Sequence, residues 1–351
     1  MLQSTLRIKG HEIGLGRPCF IIAEAGVNHN GSLDRARQMV QVAAHAGVDA
    51  IKFQTFKAEK LATAQAPKAS YQVETTGGNE SQLEMLRKLE LSEADFKILV
   101  DECRTNNILF LSTPFDEDSA DFLASLDMAA FKIPSGEITN LPFLAHVARK
   151  GKPVILSTGM SYLNEVDLAV RTIQAAGNRE LVLLHCTSNY PAEPADVNLR
   201  AMITLEQTFQ VPAGFSDHTM GIEIPLAAVA MGAHVIEKHF TLDRSLPGPD
   251  HQASLESNEL ESLVKGIRKV EAALGHGRKE PVEREADTAA VARKSIVARV
   301  DIPMGTILNE THFMMMRPGT GLPSAMLQYV LGRTARVNIS AGTLVSFEMC
   351  A

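Results

Sequence analysis

Cysteine is scarce in this chain, with four in 351 residues, at Cys19, Cys103, Cys186 and Cys350. None stands in a CxxC spacing, which argues against a zinc ribbon or a redox pair and fits a reducing compartment. Positive charge is also short. Lysine and arginine number 34 against 41 acidic residues, a formal net charge of −7. The broad basic face that a nucleic-acid partner favours is therefore not expected. A small anionic substrate stays open, because a local cluster of lysines works inside an acidic protein. Apolar runs are short, and none approaches a membrane span. The opening MLQSTLRIKG has no apolar stretch behind a basic start, so no secretion signal is expected. These absences predict a cytoplasmic protein with no membrane or nucleic-acid partner. Tryptophan is missing altogether, and that excludes nothing by itself.

What is present is 45% hydrophobic residues, enough for a sizeable core, arranged as short β-type runs between helical stretches. Eight runs qualify: Phe20–Ala25, Ala50–Thr55, Ile108–Thr113, Ala129–Ser135, Pro153–Thr158, Glu180–Cys186, Pro212–Asp217 and His234–Phe240. Helical patterns fill the gaps, such as Asp34–Ala46 closed by Gly47 and Leu163–Ala176 closed by Gly177. Ser92, with Asp95 three residues on, reads as a helix N-cap. Eight β/α units in a row predict a closed parallel (β/α)8 TIM barrel. The rival, an open doubly wound sheet, calls for GxGxxG after the first strand, whereas the turn reads GVNHNGS. The polar, Gly-rich stretch 64–81 is expected at the barrel mouth as a lid.

The pattern changes near residue 275. The expected division is a barrel over 1–275, a charged linker over 276–292 and a small β-rich domain over 293–351. The last piece is short for independent folding and is expected to pack on something else.

The chemistry is expected where strands end, as in other barrels. Residues two apart on a strand share a face, which pairs Lys52 with Gln54, Ser216 with His218, and Glu237 with His239. The last two pairs lie on consecutive strands. Two imidazoles at one height predict a divalent metal site at His218 and His239, with a carboxylate such as Glu237 or Asp250 close by; oxygen ligands would turn the choice toward Mn or Mg. His185 reads as structural. Lys52 and Lys132 stand in apolar strands, where an unpaired ammonium is costly. Either each pairs with a protein carboxylate, or both meet a bound anion together with Ser135, Ser157, Thr158 and Ser216. Glu24 and Asp250 are candidates to orient hydroxyls or move protons. Asp217 is expected to cap the following helix, and Asp116 to start one.

Taken together, EAGVNHNGS, IKFQTF, STPFDEDS, FKIPSGE, STGM, GFSDHT, EKHFTLD, GPDH and MRPGTG resemble the bacterial sialic acid (nonulosonate) synthases over nearly the whole chain. The tail resembles the antifreeze-like (SAF) domain of those enzymes. The resemblance implies condensation of phosphoenolpyruvate with an open-chain N-acetylated hexosamine, giving a nine-carbon 2-keto acid and phosphate. It implies that His218 and His239 bind the metal, usually manganese, with Mg2+ or Co2+ as alternatives. Lys52, Lys132, Ser135, Ser157, Asn189 and Ser216 match positions that hold phosphoenolpyruvate. Glu24, Gln54, Tyr190 and Asp250 match positions that face the acceptor sugar. Arg317 matches an arginine supplied by the other subunit of a domain-swapped homodimer.

N-Acetylmannosamine is the first expectation for the acceptor, which would make the product N-acetylneuraminate. The alternative is 2,4-diacetamido-2,4,6-trideoxymannose and N,N′-diacetyllegionaminate, toward which CTSNYPA and SDHTMGIEIPLAA lean. Two further rivals are a Schiff-base aldolase using Lys52 or Lys132 and a non-catalytic binding protein. The dense polar strand ends speak against the second.

Overall fold

The computed structural model describes residues 5–351. A hairpin of β1 (Thr5–Ile8) and β2 (His11–Gly14) comes first. Its turn is Lys9–Gly10, both at positive φ, and its Leu6, Ile8 and Ile13 join the main core. The eight following strands are β3 (Phe20–Gly26), β4 (Ala50–Thr55), β5 (Leu109–Pro114), β6 (Phe131–Ile133), β7 (Val154–Ser157), β8 (Leu181–Cys186), β9 (Ala213–Asp217) and β10 (Val235–His239). They form one parallel sheet in the order β5-β4-β3-β10-β9-β8-β7-β6. β5 and β6, the two ends of that order, lie side by side and close the ring. All eight expected strands are present, and the fold is the TIM barrel.

Local chemistry explains most boundaries. Ser92 caps the helix Glu93–Thr105, with its side chain accepting from Asp95 N–H. Asp116 caps Glu117–Ser125 in the same way. Gly47 closes Leu33–Ala46 in the left-handed conformation, which only glycine adopts without a Cβ penalty. β6 is shorter than the expected run because Pro134 has no N–H to extend the ladder. Ser135 consequently leaves the strand and opens a 3-10 turn, Ser135–Glu137. The expected lid is more ordered than its composition suggested. It contains the helix Ser70–Thr76, followed by Gln82–Leu89, which starts on a Ser81/Glu84 capping box. No helix among the described residues is long and apolar enough to cross a membrane. The four cysteines are free and buried.

The chain divides into two compact units after Gly275. The second, His276–Ala351, begins with the short helix Ala286–Ala292, inside the stretch expected to be a plain linker. It pairs β11 (Ser295–Ala298) with β12 (Phe313–Met316) antiparallel. Ile296, Ile302, Phe313, Val330, Ile339 and Val345 form its own small core.

Candidate active site

Alternation along the strands turns Glu24, Lys52, Lys132 and Glu237 into the barrel mouth, where each is at most 4% exposed. Burial that deep makes every contact among them electrostatically strong. Lys52 Nζ lies 2.6 Å from Glu24 and 3.7 Å from Glu237, and it donates to Thr113 Oγ1 at 2.9 Å. Lys132 Nζ lies 3.4 Å from Glu237 and donates to Ser157 Oγ at 2.7 Å. Ser216 Oγ donates to Glu237 at 2.8 Å, and Gln54 Nε2 donates to Glu24 at 3.3 Å. Both buried lysines are thus paired with carboxylates, the first of the two arrangements their sequence context allowed.

The four charges are not equivalent. Burial raises the pKa of Glu24 and the repulsion of Glu237 adds to it; Lys52 only partly opposes them, leaving the carboxyl at about 7. Burial acts on Glu237 in the same sense, but Lys132, Lys52 and the Ser216 hydroxyl outweigh it and hold that carboxyl at about 2. Burial also lowers Lys132, and Glu237 offsets that only in part. In Lys52 the same penalty is overcome by Glu237 and Glu24, and its pKa rises. Asp250, buried near Lys52, is pushed up by burial to about 6. The site therefore holds one permanent anion and two carboxyls able to exchange protons near neutrality.

Beside this cluster stand the two histidines. The register Glu237↔Ser216 and Lys238↔Asp217 puts His239 level with His218. Their ring centroids are 5.5 Å apart. His218 Nδ1 is 2.7 Å from the Thr187 carbonyl. Nδ1 must therefore carry the proton and donate, which leaves Nε2 with a free lone pair. His239 Nδ1 is buried without a hydrogen-bond partner. Burial lowers the pKa of both rings, with the neighbouring His218 adding to the effect on His239, so both are neutral, as metal ligands must be. No group of three or more His, Cys, Asp and Glu side chains suited to one ion occurs among the described residues. Tyr190 covers the pair, its ring centroid 4.2 Å from His218 and 5.7 Å from His239, and the ring of Tyr71 on the lid helix packs tilted against Tyr190 at 5.0 Å.

Two glycines keep the site open. Gly26 has φ +53, and a Cβ there would crowd Glu24, Gln54 and His239; a Cβ on Gly159 would come within 3.0 Å of Ser188, Ser135 and Cys186. On the outward face of the same strands, Lys238 pairs with Asp217 at 2.5 Å, both buried. Asp217 accepts from the Thr219 N–H and hydroxyl, so it shapes the turn after β9. The helix cap expected of it is not formed, because that helix starts only at Glu223.

A cavity of about 460 Å³ gathers Glu24, Lys52, Gln54, Lys132, Ser135, Ser157, Tyr190, Ser216, His218, His239 and Asp250 on its wall. Asn189 is not on that wall. Its Oδ1 accepts from the Tyr190 N–H, and Ser188 and Tyr190 face the cavity instead. Arg317 belongs to the second unit, where its Nε donates to the Ala292 carbonyl. His185, as expected, is tied up structurally, its Nε2 2.6 Å from the Val197 carbonyl. Sequence reasoning left Thr113 and Tyr71 out of its site residues, and it placed Glu237 beside the metal rather than between the two lysines. Thr113 had the signal of a polar strand end, and it pairs in register with Gln54 of β4. For Tyr71 the only signal was an aromatic in a polar stretch.

His29 lies in the loop after β3 and is 1% exposed. Its Nδ1 accepts from the Gly31 N–H. Burial, with repulsion from Arg35, lowers its pKa to about 4. An unfolded imidazole titrates near 6.5. The stability linked to this neutral ring is complete above pH 6.5 and is lost as pH falls toward 4. Between pH 7.5 and pH 5 the loss amounts to about 2 kcal/mol. The variant His29→Gln is expected to show a pH dependence of unfolding free energy shallower by that amount. Urea unfolding of both proteins at the two pH values checks it, and equal pH dependence refutes it.

The NeuB family pattern matches residues 39–279 and the SAF domain pattern residues 293–350. A relative from Legionella pneumophila, N,N′-diacetyllegionaminic acid synthase, is 50% identical over 95% of each chain. The protein of the same name from Campylobacter jejuni is 47% identical over 93% of this chain and 98% of its own. Among solved structures, the N-acetylneuraminic acid (sialic acid) synthetase of Leptospira borgpetersenii superposes with a TM-score of 0.72 at 38% identity, covering 82% of this chain and 95% of that one.

Proposed function

The chain belongs to the NeuB family and carries a SAF domain, and from that premise we propose that it condenses phosphoenolpyruvate with 2,4-diacetamido-2,4,6-trideoxymannose to give N,N′-diacetyllegionaminate and phosphate. This reverses the order in which sequence alone ranked the acceptors. The observation that carries the reversal is the identity of 50% and 47% to two synthases of that name, against 38% to a sialic acid synthetase. Motifs shared by both kinds of enzyme had left the two sugars apart by only a few positions, where one hydroxyl or methyl decides.

The site supports the chemistry in four ways. Lys52 and Lys132, with Ser135, Ser157 and Ser216, offer the phosphate and carboxylate of phosphoenolpyruvate two preorganised ammonium groups and three hydroxyl donors. Much of the acceleration is then positional and electrostatic. His218 and His239 would hold a divalent metal, best Mn2+. The orphaned His239 nitrogen and the neutral rings support this, and a bound ion would supply Lewis acidity at the aldehyde oxygen. Gln54, Tyr190 and Asp250 orient the open-chain acceptor. Glu24, poised near neutrality, takes a proton from the attacking water.

The bonds follow from these placements. C3 of phosphoenolpyruvate attacks the aldehyde carbon, and the positive character that develops at C2 is quenched by water. The tetrahedral adduct then collapses with cleavage of the C2–O bond and release of phosphate. The water oxygen becomes the keto oxygen, and its two protons end on the new hydroxyl and on the phosphate. The lowered pKa of Lys132 is the one observation that favours a second reading, imine formation with a pyruvate-type donor. Borohydride trapping with pyruvate separates the two, since the synthase yields no trapped adduct.

The decisive assay measures phosphate release from phosphoenolpyruvate with each hexosamine in parallel. The expected result is a kcat/KM at least about tenfold higher for the trideoxy sugar, on the scale of one methyl-sized contact. A preference for N-acetylmannosamine would overturn the assignment.

A further inference from the structure

Not all of the cavity wall is used by the reaction just described. Val27, Phe56, Met85 and Leu89 form a buried apolar cluster separate from the barrel core, with Leu61, Leu86 and Phe115 packed on it half-buried. Six of these seven side chains line the same cavity as the charged cluster. They come from the segments that follow β3, β4 and β5, which are neighbours in the sheet. Of the residues suited to phosphate and carboxylate, Lys132, Ser135, Ser157 and Ser216 come from β6, β7 and β9 or the turn after β6, around the other side of the ring, and Lys52 from β4. On the side of β3, β4 and β5 the mouth therefore has an apolar half formed by the segments after those strands, beside a charged floor to which Glu24, Lys52 and Gln54 of the same strands also contribute. The open surfaces of Leu61, Leu86 and Phe115 face the cavity, where an apolar ligand group would cover them.

We propose that this apolar half is the subsite that sets acceptor preference by receiving the methyl-bearing end of the sugar. The proposal rests on the acceptor assigned above. A 2,4,6-trideoxy sugar with two acetamido groups presents a methyl at C6 and an acetyl methyl at C4. N-Acetylmannosamine presents hydroxyls at both carbons. Against Leu61, Leu86 and Phe115 a methyl loses no hydrogen bond, whereas a hydroxyl leaves water without a new partner. Discrimination by an apolar wall is bounded: one methyl-sized difference is worth about 10–200-fold. The wall thus favours one acceptor without excluding the other.

The test uses the full-length protein with Leu86→Asn and Leu61→Ser, and with Leu86→Met as the volume-conserving control. Phosphate release is measured with both hexosamines at saturating phosphoenolpyruvate. The asparagine and serine variants are expected to lose about tenfold or more in kcat/KM for the trideoxy sugar while holding or gaining with N-acetylmannosamine, so that the ratio between the sugars shifts. Leu86→Met should keep the wild-type ratio, and an unchanged KM for phosphoenolpyruvate reports that the variants are folded. If wild type prefers the trideoxy sugar and both polar variants leave the ratio unchanged, the wall does not select the acceptor and the inference fails alone. If wild type prefers N-acetylmannosamine, the acceptor assignment and the inference fall together.

Discussion

Glu24→Gln is expected to lower kcat by about 10²–10⁴, the usual worth of a positioned general base. The amide keeps the shape of the side chain and can still accept from Lys52, so the pair at 2.6 Å loses charge without losing its packing. Electrostatics then predicts a second, opposite effect. Glu24, Glu237, Lys52 and Lys132 carry a net charge near zero when all are ionised. Removing one carboxylate leaves the floor of the site more positive, so phosphoenolpyruvate, an anion, binds more tightly. A variant with greatly reduced kcat and an equal or lower KM for phosphoenolpyruvate is the expected signature. A kcat within a few-fold of wild type would move the proton-accepting role elsewhere, with Asp250, held near pH 6 by burial, as the next group to replace.

His218→Ala is expected to remove the stimulation by divalent metal and to cost on the order of 10³-fold in turnover, equivalent to several kcal/mol of transition-state stabilisation. The ring is fixed by the Thr187 carbonyl at 2.7 Å and stands at the barrel mouth, so its loss removes one imidazole without emptying the barrel core. Titrating Mn2+ into wild type and variant, with binding followed by calorimetry and turnover followed separately, distinguishes lost affinity from lost chemistry. Near wild-type turnover by the variant in a chelating buffer would show that the histidines do not serve a metal.

The barrel was legible because its signals are local. Each strand is a short apolar run between helices whose caps are written in single residues, such as Ser92 and Gly47. The charged floor was legible for a related reason. The period of two along a strand assigns Lys52, Lys132, Ser216 and Glu237 to the inside without knowledge of any partner. What that period does not give is how neighbouring side chains divide the charge. The contrast between Glu24 and Glu237, one carboxyl near 7 and the other near 2, depends on which lysine stands beside which acid. Reasoning by period also stops where strands stop. In the irregular segment after β8 only the family resemblance pointed to Asn189 and Tyr190, and of the two Tyr190 is on the wall, with Ser188 in place of Asn189. Tyr71 sits in a stretch with no apolar periodicity, so only the helix Ser70–Thr76 shows that its ring reaches Tyr190. The cavity wall around Tyr190 and Tyr71 is built from such segments, where a sequence pattern says least about which side chains line it.

Strand β10 has one more consequence, and it concerns heredity. Its last three residues alternate Glu237 inward, Lys238 outward and His239 inward, with Lys238 anchored on Asp217 behind the sheet. Substitutions can alter these positions one at a time. Losing or gaining a single codon within the strand cannot, because it would exchange the two faces. An ammonium would then point where an imidazole belongs, and the buried pair behind the sheet would break with it. Variation in this segment among viable descendants of the gene is therefore confined to point substitution.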